Sequence, residues 1–399
     1  MVTRLTGAIL AASLIVFSGT ATAQAPLKIG VLSDMSGVVA DVGGAGSVVA
    51  AQIAVDEFGG QVLGRKIEIV SADHQFKGDI GLSIARRWFD QENVEAIADL
   101  IVSVVSAGVQ NLAKERGKIA LISGSGTKDL YGSQCSPTGF LWTFDVDMLP
   151  KVLVPGIVGA GGKRWFLIGP DYSFGTQMIN STTTEVEKAG GAVVKAVKVP
   201  AGSGEFSSAL TFALSSDANV LALANAGNDM INAIKQANEF GLKSSGKQLV
   251  ALLGFITDEH AIGLQSMQGT TIAAPYYWDA DEDSRKFAQK FWDKMKRPPT
   301  YVQAGVYSSI LHYLKAVKAA GSTDGKSVAS KMREIPVNDL TVKNGHLRAD
   351  GRLVRDWYQV QVKSPADSTK PWDYYKIIRK VPAKDAVGDT PSPQCKLPG

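Results

Sequence analysis

Residues Ala96–Leu130, AIADLIVSVVSAGVQNLAKERGKIALISGSGTKDL, read as strand, polar turn, helix, strand and glycine turn. Ala96–Val102 has the composition of a buried strand. Ser103–Ser106 opens a helix in which Val105, Val109 and Leu112 recur at helical spacing, and Gly117 ends it. Ile119–Ile122 is the next strand, followed by Ser123-Gly124-Ser125-Gly126-Thr127. Successive units of this kind predict parallel strands joined by crossover helices. In open sheets of that type a ligand sits beyond the carboxyl ends of the strands. Both ends carry small hydroxyl residues and glycines, which let a ligand approach the backbone and the N–H groups of a helix start. That chemistry suits a small polar or anionic group. A single Gly-Ser-Gly is ordinarily just a tight turn; two consecutive strand ends of the same character point to a site.

Outward from this stretch the same alternation repeats. Leu27–Leu32 is a strand, closed by Ser33-Asp34-Met35-Ser36-Gly37 and a second flexible loop, Asp41–Gly46. A helix to Phe58, a strand over Lys66–Val70 with Asp73-His74-Gln75 at its end, and a helix bearing Ile80, Ile84 and Trp88 complete a first half. Phe140–Phe144 reads as a crossing to a second half, where the pattern restarts. There the strands are Arg164–Ile168, Ala192–Val199, Val220–Leu223 and Leu249–Leu253. Asp171–Gly175, Asn225–Asn228 and Phe255–Asp258 are read as strand-end loops. Two helices with apolar stripes follow, one ended by Pro298-Pro299 and one by Gly321. Leu353–Val362 and Asp373–Ile378 read as a closing strand pair, and the stretch after Val381 as loose apart from Cys395. The fold class expected is α/β: two Rossmann-like lobes, each a mainly parallel sheet flanked by helices, with a ligand cleft between. Residues 24–141 and 278–350 form lobe one, 142–277 and 351–380 lobe two, and 381–399 a C-terminal tail.

At 399 residues the chain is too long for one ordinary core, and two domains are the default. A net charge of +4 without a Lys/Arg block argues against nucleic acid. Arg4, the short apolar run Gly7–Phe17 and Ala21-Thr22-Ala23 form a cleaved signal peptide, 1–23, which predicts a soluble protein exported to a periplasm. In an oxidising compartment Cys135 and Cys395 pair as a disulfide tying the tail to the body, against the alternative of two buried or free thiols. Catalytic motifs are absent: no G-x-S-x-G, no H-E-x-x-H and no complete phosphate loop, with only four histidines in the chain. No enzyme, cofactor or metal site is expected, although His74 ends a strand and Asp258-Glu259-His260 is an adjacent polar trio.

LKIGVLSDMSG, GAGSVVAAQIAVDEFGG-QVLGRKIEIVSAD, the Ser103 turn, IALISGSGT and DYSFG, in that order, resemble the periplasmic solute-binding proteins of the leucine/isoleucine/valine-binding type, capture subunits of ABC importers. The resemblance implies two lobes on a three-crossover hinge, closing on a ligand, and inner-membrane permease subunits as partners; a monomer is expected. It implies that the ligand's polar groups are held at Ser103, Gly124, Ser125 and Gly126, with Phe174, Ala226 and Phe255–Asp258 contributing from lobe two. Thr127, Tyr172, Asn225 and Trp278 complete the candidate set, with Phe255, Asp258 and Tyr277 at the same end. Two positions depart from the amino-acid-binding pattern: Val42 replaces an aromatic residue and Ala226 a tyrosine. The acid that holds the ammonium in that pattern has no match here, although Asp258 is nearby. A buried ammonium without an acid is costly. The ligand expected is therefore a small carboxylate with an apolar or aromatic body. The alternatives are a branched-chain or other amino acid, or service as the sensing subunit of a membrane receptor.

Overall fold

The structure, a computed structural model, describes residues 1–2 and 24–397, so the expected signal peptide falls almost wholly outside the described residues. The first sheet holds β1 (Leu27–Ser33), β2 (Gln61–Val62), β3 (Arg65–Asp73), β4 (Val94–Asp99), β5 (Ile119–Ile122) and β6 (Gly139–Leu141) in the order β2-β3-β1-β4-β5-β6. Apart from the short β2, its pairings are parallel. The second sheet comprises β7 (Arg164–Pro170), β8 (Ala192–Val199), β9 (Val220–Leu223), β10 (Gln248–Ala251) and β11 (Thr271–Ala274). After the small β12 (His346–Leu347) and β13 (Leu353–Val354) pair, β14 (Trp357–Val362) and β15 (Tyr375–Val381) join it antiparallel at one edge. Central strands such as IALI and VLAL are buried along their whole length, as parallel strands covered on both faces by helices must be.

Helices α1 (Gly44–Phe58), α2 (Gly78–Asp90) and α3 (Ser103–Glu115) link strands of the first sheet. Helices α4 (Met148–Gly159), α5 (Ser173–Lys188), α6 (Ser207–Ser215), α7 (Asn228–Glu239), α8 (Ile256–Ile262) and α9 (Leu264–Met267) serve the second. The chain then returns through α10 (Glu282–Met295), α11 (Tyr301–Ala320) and α12 (Gly325–Glu334), α11 packing on α1, β4 and β5. Thr300 starts α11 with a capping box to Gln303, and Gly321 ends it in the left-handed region that glycine adopts without strain. The same two cap residues reach the cleft: the Thr300 hydroxyl donates to Val42 O at 2.7 Å and Gln303 Nε2 to Gly43 O at 2.9 Å. A capping motif thereby fixes the loop that carries Val42.

Three segments cross between the sheets, and a buried ion pair joins the first to the third: Arg352 Nε donates to Asp145 Oδ2 at 2.7 Å. Cys135 and Cys395 form a disulfide across 260 residues of chain.

Three readings change, and one helix is new. The strand at Ala96 ends at Asp99, because Asp99, Leu100 and Val102 adopt positive φ (73°, 51° and 78°). Phe255–Asp258 is a helix start, its backbone ordered by the Asp258 carboxylate accepting the Phe255 N–H at 3.1 Å. Met148–Gly159 is a helix despite Pro150 and Pro155; the former lies in the first turn, where the missing N–H costs nothing. Beyond Val381 the chain is docked: α13 (Ala383–Ala386) packs on α4, and Ser392 N–H donates to Asp350 Oδ2 at 2.8 Å.

Candidate functional site

The strand ends converge on one cavity of about 40 Å³. Its first-sheet side is built on the turn after β4. The Asp99 carbonyl accepts Ser123 N–H at 2.9 Å and Gly124 N–H at 3.1 Å, locking the β5 turn to the β4 end. Ser106 Oγ donates to Ser125 Oγ at 2.9 Å, and Ser125 Oγ lies 3.4 Å from Ser103 Oγ. Ser103 opens α3, so its hydroxyl, that of Ser125 and the first-turn N–H groups form one donor cluster at the positive end of a helix. Strained backbone surrounds this cluster: Val102 and Phe76, both on the cavity wall, hold positive φ at 78° and 58°.

The remaining wall is aromatic. Phe144 meets Phe174 edge-on at 6.2 Å and Phe255 at 6.4 Å, and Tyr172 stacks on Phe174 at 6.1 Å. Phe76 approaches Tyr172 edge-on at 6.3 Å, bringing a first-sheet loop against a second-sheet loop. No residue lining the cavity carries a charge. Burial and the Asp229 charge push the Tyr172 phenol up, so it remains a neutral hydroxyl.

Polar bonds also bridge the two sides. Asn228 N–H donates to Val38 O at 3.3 Å. The side chain of Gln177 on α5 accepts the Thr127 hydroxyl at 2.7 Å and Lys128 N–H at 2.9 Å, and donates to Asp129 at 2.6 Å. The two sides are in direct contact around the cavity.

Of the residues singled out in the sequence, Val42, Ser103, Gly124, Ser125, Gly126 and, from the second side, Tyr172, Phe174, Ala226 and Phe255 line the cavity. Four do not. Thr127 belongs to the Gln177 bridge. Asn225 is buried beside Ala226 with neither amide atom bonded among the described residues. Asp258 is buried in its capping role, and burial raises its carboxyl well above the usual range. Trp278 lies outside the cavity wall, its indole N–H donating to Trp372 O at 2.8 Å. His74 is also structural: its Nδ1 accepts Phe76 N–H at 3.1 Å and burial lowers its pKa. Tyr277 is buried elsewhere, its hydroxyl 3.4 Å from Asp373. Phe76 and Phe144 are the important omissions. Phe144 sits in the crossing segment, and a segment that passes between two lobes necessarily floors the cleft; that signal was present in FLWTF.

Asp99 makes a testable contribution. Its carboxyl is buried beside the Ser33 and Ser47 hydroxyls, and burial, reinforced by Asp34, raises its pKa to about 6. A raised folded-state pKa contributes stability that is complete below the ordinary value near 4 and is lost as pH rises through about 6. The loss is roughly 3 kcal/mol. Asp99→Asn, neutral throughout, is expected to flatten the fall in melting temperature between pH 4 and 7. Parallel pH profiles for the two proteins would contradict this assignment.

The sequence pattern of the periplasmic binding protein family matches residues 26–369. The fold is similar to a periplasmic binding protein from Burkholderia mallei, with a TM-score of 0.90 and 40% identity over 93% of this chain and 99% of that one. A branched chain amino acid ABC transporter periplasmic ligand-binding protein from Burkholderia xenovorans LB400 is 39% identical, with a TM-score of 0.82 over 91% of this chain and 97% of that one. The solute binding protein of an ABC transporter from R. palustris, in complex with benzoate, shares the fold at 21% identity, with a TM-score of 0.82 over 93% of this chain and 100% of that one. In sequence the chain is 30% identical over 240 residues to Leu/Ile/Val-binding protein homolog 7 of Brucella suis, a match spanning 57% of this chain and 59% of that relative's length.

Proposed function

The chain belongs to the periplasmic binding protein family, and from that premise we propose that it captures a small carboxylate with an apolar or aromatic body by lobe closure and delivers it to an ABC import permease. Proteins of this family are binding components of transporters, not enzymes. Among the described residues no helix is long and apolar enough to cross a membrane.

The observation that carries the ligand class is the composition of the cavity wall: two serine hydroxyls at a helix start, an aromatic box and no charged side chain. Hydroxyls and helix N–H groups hold an anion without a cationic partner. The aromatic side chains of Phe144, Tyr172, Phe174 and Phe255 on the wall suit a flat or branched apolar body. The R. palustris protein named above holds a ligand of this kind. An amino acid is the second reading, favoured by the name of the B. xenovorans relative. It requires an acid for the ammonium, and Asp258, already committed to the Phe255 N–H, lies outside the wall.

The test is a thermal-shift screen of the mature protein against two panels, α-amino acids and carboxylates lacking an amino group. A ligand at 100 times its dissociation constant stabilises by about 2.7 kcal/mol. Stabilisation by carboxylates alone is expected; stabilisation by amino acids alone would replace this reading with the second. Ser103→Ala removes one donor to a charged group, so affinity for the ligand found is expected to fall about tenfold at unchanged ligand-free melting temperature. Unaltered affinity by calorimetry would take Ser103 out of the site.

A further inference from the structure

Gln177 stands on α5, one turn beyond Phe174, outside the cavity wall. Facing it from the first side are Thr127, Lys128 and Asp129, which follow directly on Gly126 of the wall. The amide works in both senses. Its Oε1 accepts the Thr127 hydroxyl at 2.7 Å and Lys128 N–H at 2.9 Å, and its Nε2 donates to Asp129 Oδ2 at 2.6 Å. A carboxylate cannot donate and an ammonium cannot accept, so among polar side chains of this reach the three partners together ask for an amide.

The Asp129 carboxylate has little else to hold it. Among the described residues its other side-chain contacts are two hydroxyls, Thr127 at 3.2 Å and Ser133 at 3.3 Å. The Gln177 bond to it is charge-assisted and is the strongest of the three. Thr127 is 3% exposed, so the bridge begins in the interior beside the cavity. A ligand held between the two sides enters only when they part, and parting exchanges these bonds for bonds to water. The net worth of each bond is small against water, which suits a contact that must be made and broken repeatedly.

We propose that Gln177 is a closure latch: its three bonds form as the two sides come together, and they set how firmly the cleft closes on any occupant. Gln177 lies outside the wall, so it acts on the strength of binding and not on the choice of ligand. The assignment holds whatever ligand the cleft takes, because a residue that biases closure changes the apparent affinity for every occupant by the same factor.

The test needs no ligand. Spin labels on Lys77→Cys and Ala201→Cys report the separation of the two sides in ligand-free protein. Both positions are exposed, Lys77 next to the Phe76–Tyr172 contact and Ala201 next to Gly202, which faces Val38. The native cysteines are bonded to each other and take no label. Gln177→Leu, which keeps the bulk and removes the bonds, is expected to lower the ratio of near to far separations about tenfold. Thr127→Val is expected to lower it less, and to add little in the Gln177→Leu background, because the two share one bond. Identical distance distributions in wild type and Gln177→Leu overturn the proposal, including the case where the variant melts lower and Gln177 merely holds α5 in place. Fully additive effects of the two substitutions overturn it as well. Should Gln177→Leu fail to fold, Gln177→Asn, which keeps the amide one methylene short of its partners, is measured in its place under the same criteria.

Discussion

Gly227→Ala is expected to lower ligand affinity by at least about 100-fold while leaving a folded ligand-free protein. Gly227 follows β9 in the second sheet and holds φ at +54°. A methyl group built there falls inside van der Waals contact of the Val38 carbonyl, which belongs to the loop after β1 in the first sheet. The obstacle exists only where the two sides meet. In the open form the same alanine costs only its backbone conformation, φ +54° and ψ −135°, a region nearly confined to glycine, about 1–3 kcal/mol. A ligand shifts an equilibrium only by its differential affinity for the two states, so a substitution that penalises the closed state alone removes affinity directly. Calorimetric titration of the variant with the screened ligand checks this, with the ligand-free melting temperature as control. Wild-type affinity would mean that the Val38–Gly227 contact is not part of the ligand-bound form.

Gly126→Val is expected to abolish binding and to destabilise the protein as well. A Cβ at residue 126 would lie 2.6 Å from Phe144 Cδ2 and 2.9 Å from the Phe144 carbonyl oxygen. Phe144 is 3% exposed and is hemmed in by Phe174, Phe255 and Tyr301. The ring has one free direction, into the cavity, so relief of the clash fills the site. Overpacking of this kind costs about 1–3 kcal/mol. The variant is therefore expected to melt several degrees lower and to show no ligand-induced shift. The two glycines separate the two sides of the mechanism: Gly227→Ala spares the ligand-free fold and Gly126→Val does not. A Gly126→Val protein that binds normally would place the ligand away from the β5 turn.

Much of this site was legible before any coordinates, and the pattern of what was missed is physical. Ser103 and Gly124–Gly126 could be placed because they follow apolar strands in a parallel-sheet pattern, and strand ends in such sheets face the cleft. Tyr172 and Phe174 were accessible by the same rule in the second half. Thr127 and Trp278 satisfied equivalent local criteria, yet their partners come from distant segments, Gln177 and Trp372, which no local pattern specifies. Asp258 looked like a free acid near a cleft and is instead a capping carboxylate, because the stretch read as a loop is a helix start. Phe76 reaches the wall only because residues 75 and 76 both take positive φ, a choice made by the fold and not by a phenylalanine's own preference.

The sequence by itself determined the alternation of strand and helix, the two-lobed α/β architecture and the pairing expected of its two cysteines. These follow from apolar periodicity, glycine and proline punctuation and redox compartment, all of which are local or compositional. Only the tertiary structure decided which polar groups remain available. Asp258 and Thr127 are consumed by a cap and by a bridge, whereas Ser103 and Ser125 stay on the cavity wall. A hydrogen bond is a relation between two groups, and its second member lies tens to hundreds of residues away; the chemistry a side chain has left to offer is settled only when the chain has folded.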